Sequence, residues 1–318
     1  MSLVLNPLNI PTFSESSSTN NDLNLSDDDF MEDLISDESD DEQESFDAFS
    51  AFSKLQNVNA LQEETRWVYP KEAIEAQQSE NIHSLFFSTG DWIFNLSFAY
   101  PLTNEVLFQS FALFRKFLTS APVPPNELQL IAATCVWIYV KMDHNVVDSL
   151  PLLLRCCHDK YSKADFIRAE AQILSSVDYD FHPSTSYSSL SSHLHLFNNL
   201  FRNESLSDLS LFISQCSLLF LDFCPIRPSL VSLCSICLSG ILTGSSQPPE
   251  FSAEFSNYTP EEILTCTKLL VKAVSYIVCK KNSGTYRKMR TRKSNVENYF
   301  QNFQPSNLLT RFSELNTL

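Results

Sequence analysis

Few residues in this chain stand at spacings that could support catalysis or hold a metal. Cys234-Ser-Ile-Cys237 is a CxxC, but a tetrahedral zinc site needs about four ligands and no second pair stands at a suitable spacing. It lies in an apolar helical run, so its thiols are expected to be buried. Cys156-Cys157-His158 has the makings of a nucleophile pair, yet no glycine-rich turn or second His/Asn partner accompanies it. His193 and His195 read as surface or partly buried side chains rather than ligands. With four glycines in 318 residues there is no GxGxxG and no GxxxxGK[ST], which disfavours phosphate loops of those kinds. No catalytic site, cofactor or metal is implied. What remains is a charged pair: Lys141 where one apolar helical pattern gives out, and Glu170 on a later helix. A cation at a helix C-terminus is favoured by the dipole, by about 0.3–1 kcal/mol. Brought together at a surface, such a pair can fix the register of a bound protein.

The elements that must position the pair are helices. Apolar residues recur at helical spacing over about Ile82–Phe98 and Asn104–Leu118, with Leu107, Phe111, Phe114 and Leu118 on one face of the second. Pro122, Pro124 and Pro125 force a break. The next helix, about Glu127–Lys141, is apolar nearly all round and must be central. Shorter helices are expected near Val147–Cys157 and Lys163–Val177, the latter capped by Ser162 with Asp165 three residues on. A glycine inside the first helix, Gly90, should cost about 1 kcal/mol relative to alanine. The second half repeats the scheme over Leu206–Leu221, Ser229–Gly240 and Pro260–Val278. Thr259-Pro260-Glu-Glu262 reads as a helix start before it reads as a proline-directed phosphosite.

The charge is unevenly placed. The net −16 contains fourteen Asp and Glu in residues 1–53, which hold no Lys or Arg, leaving about −2 on the rest. Residues 1–53 therefore read as a disordered acidic tail. Ser26, Ser36 and Ser39 stand before acidic residues that acid-directed kinases favour. A near-neutral body gives no electrostatic ground for nucleic-acid binding. The apolar runs are too short and interrupted for a membrane span, and no signal peptide is evident. Nine cysteines, mostly within apolar helices, fit reduced thiols. The cluster Arg287, Lys288, Arg290, Arg292 and Lys293 reads equally as a nuclear localisation patch or a solvated helix.

The ordered set DW, LQLIAATCVWIYVK and AEAQILSSVDYDFHPST resembles the cyclins, the A/B-type group above all. The second half adds SLFISQCSLLFLDFCPIRPSLVSLCSICLSG and NYTPEEILTCTKLLVKAV, and the likeness covers roughly residues 80–295. The resemblance implies an all-α protein with tandem cyclin-box folds, two five-helix bundles behind the acidic tail. It divides the chain into 1–53 (tail), 54–79 (linker and N-terminal helix), 80–185 (first, kinase-binding box), 186–295 (second fold) and 296–318 (C-terminal tail). It implies no enzyme but a regulatory subunit. That subunit would bind and activate a cyclin-dependent serine/threonine kinase in mitotic or meiotic progression, in nucleus and cytoplasm, with no nucleic acid or membrane as partner. Lys141 and Glu170 would grip the kinase's C-helix, beside Ile138, Leu174 and Tyr179. A transcription adaptor of the same fold and a non-activating scaffold are the alternatives.

The chain departs from the family at the substrate-docking patch, where cyclins read Met-Arg-x-Ile-Leu-x-Asp-Trp. Here Phe86 replaces the Arg, Ser88 and Thr89 replace apolar positions, and Asn95 replaces a nearby acid. Leu85, Trp92, Leu128 and Gln129 remain, which predicts weak docking of Arg-x-Leu peptides. The motif after the third helix is Lys141-Met142-Asp143-His144 in place of the family's Lys-aromatic-Glu-Glu. Residues 1–65 contain no Arg and so no Arg-based destruction signal, and no Lys-Glu-Asn appears.

Overall fold

The computed structural model describes residues 63–100, 102–143, 149–197, 204–244, 257–291, 296–300 and 304–315, without the side chains of 195–197 and 311–315. The chain divides into two units, Met1–Ser53 and Lys54–Leu318. The expected acidic tail lies outside the described residues, as do Leu55 and Leu61 of the linker.

All regular structure among the described residues of the second unit is helical. A 3₁₀ turn (Thr65–Trp67) and the short α1 (Glu72–Glu75) precede five helices: α2 (Ile82–Ala99), α3 (Asn104–Ser120), α4 (Leu128–Met142), α5 (Leu150–Cys156) and α6 (Lys163–Ser176). Five more follow: α7 (Ser186–Phe197), α8 (Glu204–Ser217), α9 (Pro228–Thr243), α10 (Pro260–Cys279) and α11 (Gly284–Arg290). A 3₁₀ turn (Val296–Phe300) and α12 (Pro305–Leu315) close the chain. The expected pair of five-helix bundles is present. Helix α7 was not anticipated, because SYSSLSSHLHLF is too rich in serine to show a clean apolar stripe. Helix α12 falls in the stretch expected to be a tail.

The helix starts are chemical. Thr103 accepts from the Val106 N–H, and Ser162–Asp165 and Thr259–Glu262 form full capping boxes. Each bundle is organised on one buried helix. In α4 every residue from Leu130 to Val140 is buried, and in α9 every residue from Ser229 to Ile241. Around α4 pack α2, α3 and α6; around α9 pack α7, α8 and α10. Phenylalanines fill the first core, with Phe86 stacked on Phe114 (5.3 Å) and edge-on to Phe111 (6.4 Å). A Cβ on Gly90 would lie 2.8 Å from Leu219 Cδ2 and 2.9 Å from Phe111 Cε1. The glycine therefore lets α2 approach its neighbours closely, and the expected benefit of alanine there is overturned.

Among the contacts that tie the bundles, three polar ones stand out. Arg115 of α3 donates from Nη2 to the Ser217, Leu218 and Phe220 carbonyls (2.7, 2.8 and 3.2 Å) just past α8. They lie at the end of α8 and in the turn after it, where backbone donors run out: Ser217 and Phe220 carbonyls also accept from the Phe220 and Phe223 N–H groups at 3.4 and 3.3 Å. Gly284 N–H donates to Asp91 Oδ1 across the bundles at 2.8 Å. The N-terminal strap is the third tie. The buried Glu64 carboxylate accepts from Ser229 N–H (3.0 Å) and Oγ (2.7 Å) at the start of α9, and Lys71 pairs with Asp222 at 2.9 Å. Burial raises the Glu64 carboxyl above its usual range, and the Ser229 hydrogen bonds oppose that rise.

Candidate functional site

After Gln129 in its first turn, helix α4 leaves the core only in its last turn, where Lys141 and Met142 reach solvent. Lys141 Nζ lies 3.9 Å from the centroid of Trp137, one turn back, and donates to Glu170 Oε1 of α6. Trp137 in turn stands edge-on to Phe166 (5.9 Å), which locks the platform beneath the ammonium. The two charges singled out in the sequence are thus brought together, with side chains 38% and 21% exposed. That is open enough to be reached and ordered enough to be pre-set.

Exposed apolar side chains occur on the same elements as the pair. Ile167 and Leu174 stand three residues before and four after Glu170, on the same face of α6. Ile167 is 49% exposed, Met142 42% and Tyr179 66%, while Leu174 is half-buried. Tyr179 is held out by a left-handed turn: Asp178 and Tyr179 have φ of 51° and 59°, and Tyr179 N–H returns to the Leu174 carbonyl at 2.9 Å. Two successive non-glycine residues in that region cost about 1–2 kcal/mol each. Strain of this kind gathers where a side chain is presented for use. Tyr139, under the site, donates its hydroxyl to the Phe181 carbonyl at 2.8 Å and anchors the following segment.

Two expectations need correction. Ile138 is only 3% exposed, because α4 is enclosed from Leu130 to Val140; it belongs to the core beneath the surface instead of lying on it. Leu128, expected at a docking patch, is 2% exposed and belongs to the core. Of the other docking residues, Leu85 and Trp92 are half-buried on α2 and Gln129 is half-buried at the start of α4. Phe86, at the family's Arg position, is wholly buried. Sequence reasoning missed Ile167, although its spacing from Glu170 was a usable signal. It also missed Trp137, whose role under Lys141 follows from the same i, i+4 spacing.

The other candidates are structural. Cys157, Cys234 and Cys237 are buried, and burial pushes the Cys157 thiol up to about 12 and holds the Cys237 thiol well above its usual range. No group of metal-ligating side chains occurs among the described residues. Among them, too, no helix is long and apolar enough to cross a membrane. His193 Nδ1 lies 2.9 Å from Ser232 Oγ, and burial pulls its imidazole down to about 4. The side chain of His195 and residues Arg292 and Lys293 lie outside the described residues. Arg290 pairs with Glu297 at 3.0 Å.

Two successive helical bundles, each built on one buried central helix, define an all-α protein of tandem helical domains. Residues 56–182 match the model of the cyclin N-terminal domain, and residues 185–302 that of the cyclin C-terminal domain. The chain belongs to the cyclin family, as a divergent member. It is 23% identical to mouse G2/mitotic-specific cyclin-B3 over 66% of its length and 14% of that protein. It is 26% identical to Cyclin-B2-1 of Oryza sativa subsp. japonica over 64% of its length and 48% of that protein. To mouse Cyclin-A1 it is 26% identical over 58% of its length and 43% of that protein. The chain thus spans about half or less of the length of these relatives. Among solved structures, a viral cyclin from herpesvirus saimiri matches with a TM-score of 0.52, at 18% identity, covering 63% of this chain and 90% of that one. A chain of the yeast RNA Pol II CTD kinase CTDK-1 complex matches with a TM-score of 0.56, at 12% identity, covering 76% and 87%. Both likenesses concern the fold.

Proposed function

We propose that this chain is a regulatory subunit that binds and activates a cyclin-dependent serine/threonine kinase in mitotic or meiotic progression, in nucleus and cytoplasm. The observation that carries the reading is the Lys141–Glu170 pair, set on Trp137, with Met142, Ile167 and Tyr179 exposed on the same last turn of α4, on α6 and just after α6. Relatives named as mitotic cyclins and a fold neighbour from a kinase complex support the same partner class. Burying the three apolar side chains against a kinase helix supplies affinity at about 25 cal/mol per Å² of apolar surface. The paired charges set orientation. A kinase whose C-helix is turned out holds its glutamate away from the strand lysine that orients the ATP phosphates. A rigid surface that binds only the helix-in state shifts the population toward it. The subunit itself makes and breaks no bond.

The test is a pull-down from dividing-cell extract with kinase activity assayed on the beads, for wild type and Lys141→Glu/Glu170→Lys. The double exchange keeps an internal ion pair while inverting the charges shown to a partner, and circular dichroism checks the fold, since the exchange gives up the Lys141 contact with Trp137. Activity retained by wild type and lost in the exchange supports the reading. A folded wild type that retains no kinase overturns it in favour of a scaffold.

A further inference from the structure

Phe87, Asp91, Asn95 and Phe98 stand four, four and three residues apart on α2, which places them along one flank. The turn between α10 and α11 lies against that flank. A Cβ on Gly284 would stand 2.7 Å from the Asp91 carbonyl and 2.8 Å from the Asn95 nitrogen, so only glycine permits the approach. The approach sets cations of the second bundle beside aromatic rings of both. Lys280 Nζ lies 4.6 Å from the centroids of Phe87 and Tyr276, and Phe220 completes the aromatic group at 5.7 Å from each. Arg287 lies 4.7 Å over the Phe98 ring and donates to Asn95 Oδ1 at 3.1 Å. Lys281 lines the groove with Cys279, Asn282 and Ser283. Phe98 and Tyr276 are each 43% exposed. Asp91 is the one carboxylate lining this groove among the described residues, and it already accepts from the Gly284 N–H.

We propose that this seam docks a short acidic peptide, with its carboxylates on Lys280, Lys281 and Arg287 and an apolar side chain on the Phe87–Tyr276 rings. The proposal deepens the kinase-subunit reading by naming the class of segment through which substrates are selected. From Phe87 to Phe98 the helix rises about 16 Å. An extended peptide of about five residues spans that length. The charge selects the ligand: the seam offers Lys280, Lys281 and Arg287 where a basic peptide needs acids, and Asn95 is already engaged by Arg287. Nucleic acid requires a broad basic field, and the body of this chain carries about −2.

The probe is a fluorescein-labelled six-residue peptide alternating Asp/Glu with Leu/Phe. A peptide with Lys/Arg in place of the acids and a single-stranded oligonucleotide serve as comparisons. Fluorescence anisotropy is read on the full chain, without kinase. The acidic peptide is expected to bind, weaken with salt, and lose about tenfold in affinity, near 1.4 kcal/mol, in Lys280→Glu and in Arg287→Glu. Tyr276→Ala should weaken it through the apolar anchor. Arg155→Glu, an equal charge change on α5, should leave binding intact, and far-UV circular dichroism verifies each fold. Preference for the basic peptide, equal binding of the oligonucleotide, indifference to Lys280→Glu and Arg287→Glu, or no binding at all overturns the proposal. The exchange at Lys141 and Glu170 should leave peptide binding unchanged, so failure of the kinase reading and failure of this one are told apart.

Discussion

Helices α4 and α9 hold the same place in their bundles, yet they leave the core differently. Both are buried on nearly every side, and both return hydroxyls to their own carbonyls: Thr134 to Leu130 in α4, Ser235 to Val231 and Ser239 to Ser235 in α9, each at 2.7 Å. Helix α4 then emerges as Lys141 and Met142, against Glu170. Helix α9 carries no charged residue and ends at Gly244, in the left-handed region at φ 73°. The architecture is doubled and the surface chemistry is not. Burial of a central helix makes a bundle; the last turn, where it meets solvent, decides whether that bundle presents anything.

The comparison can be broken or sharpened by substitution. If the cores are equivalent, Ile138→Ala and Ile236→Ala should each cost about 2–5 kcal/mol in chemical denaturation. A cost below about 1 kcal/mol at Ile138 would return it to the surface. Gly284→Ala acts where the bundles join and meets backbone atoms that cannot yield. It should cost about 1–3 kcal/mol and lower the thermal midpoint. The caps should be equal in the two bundles, with Ser162→Ala and Thr259→Ala each losing about 1 kcal/mol by the same measurement. A pH dependence should arise in the second bundle. Unfolded His193 titrates near 6.5 and folded His193 near 4, so the unfolded chain binds the proton first. The His193 contribution is therefore full above pH 6.5 and declines as pH falls toward 4. His193→Gln should flatten that part of the stability–pH curve. The smallest effect on stability belongs to Glu170→Ala, under about 1 kcal/mol for an exposed pair, although kinase retention should fall sharply. A large stability loss there would make the pair structural.

Local signals in the sequence reached far into the fold. The apolar periodicity of α2, α3, α4 and α6 placed their ends within about two residues, and both capping boxes were readable from spacing. The Lys141–Glu170 pair was legible because its partners sit at helix positions the pattern defines. The rest depended on contacts distant in sequence. Helix α7 holds its place through tertiary contacts such as Ser186 with Ser214 and His193 with Ser232, which no local pattern encodes. Gly90 reads as a defect until Leu219 and Phe111 are seen beside it. Glu64 caps a helix 165 residues away. Ile138 was misjudged because neighbours in sequence to an exposed lysine need not share its face.

The three carbonyls that Arg115 reaches bind the doubled architecture into one cooperative unit. A second bundle separated from the first would end α8 without that donor, and a first bundle alone would keep a half-buried guanidinium resting on Phe86 without its carbonyl acceptors. Cutting the chain between the bundles should therefore weaken both halves, not only the one that loses the charge.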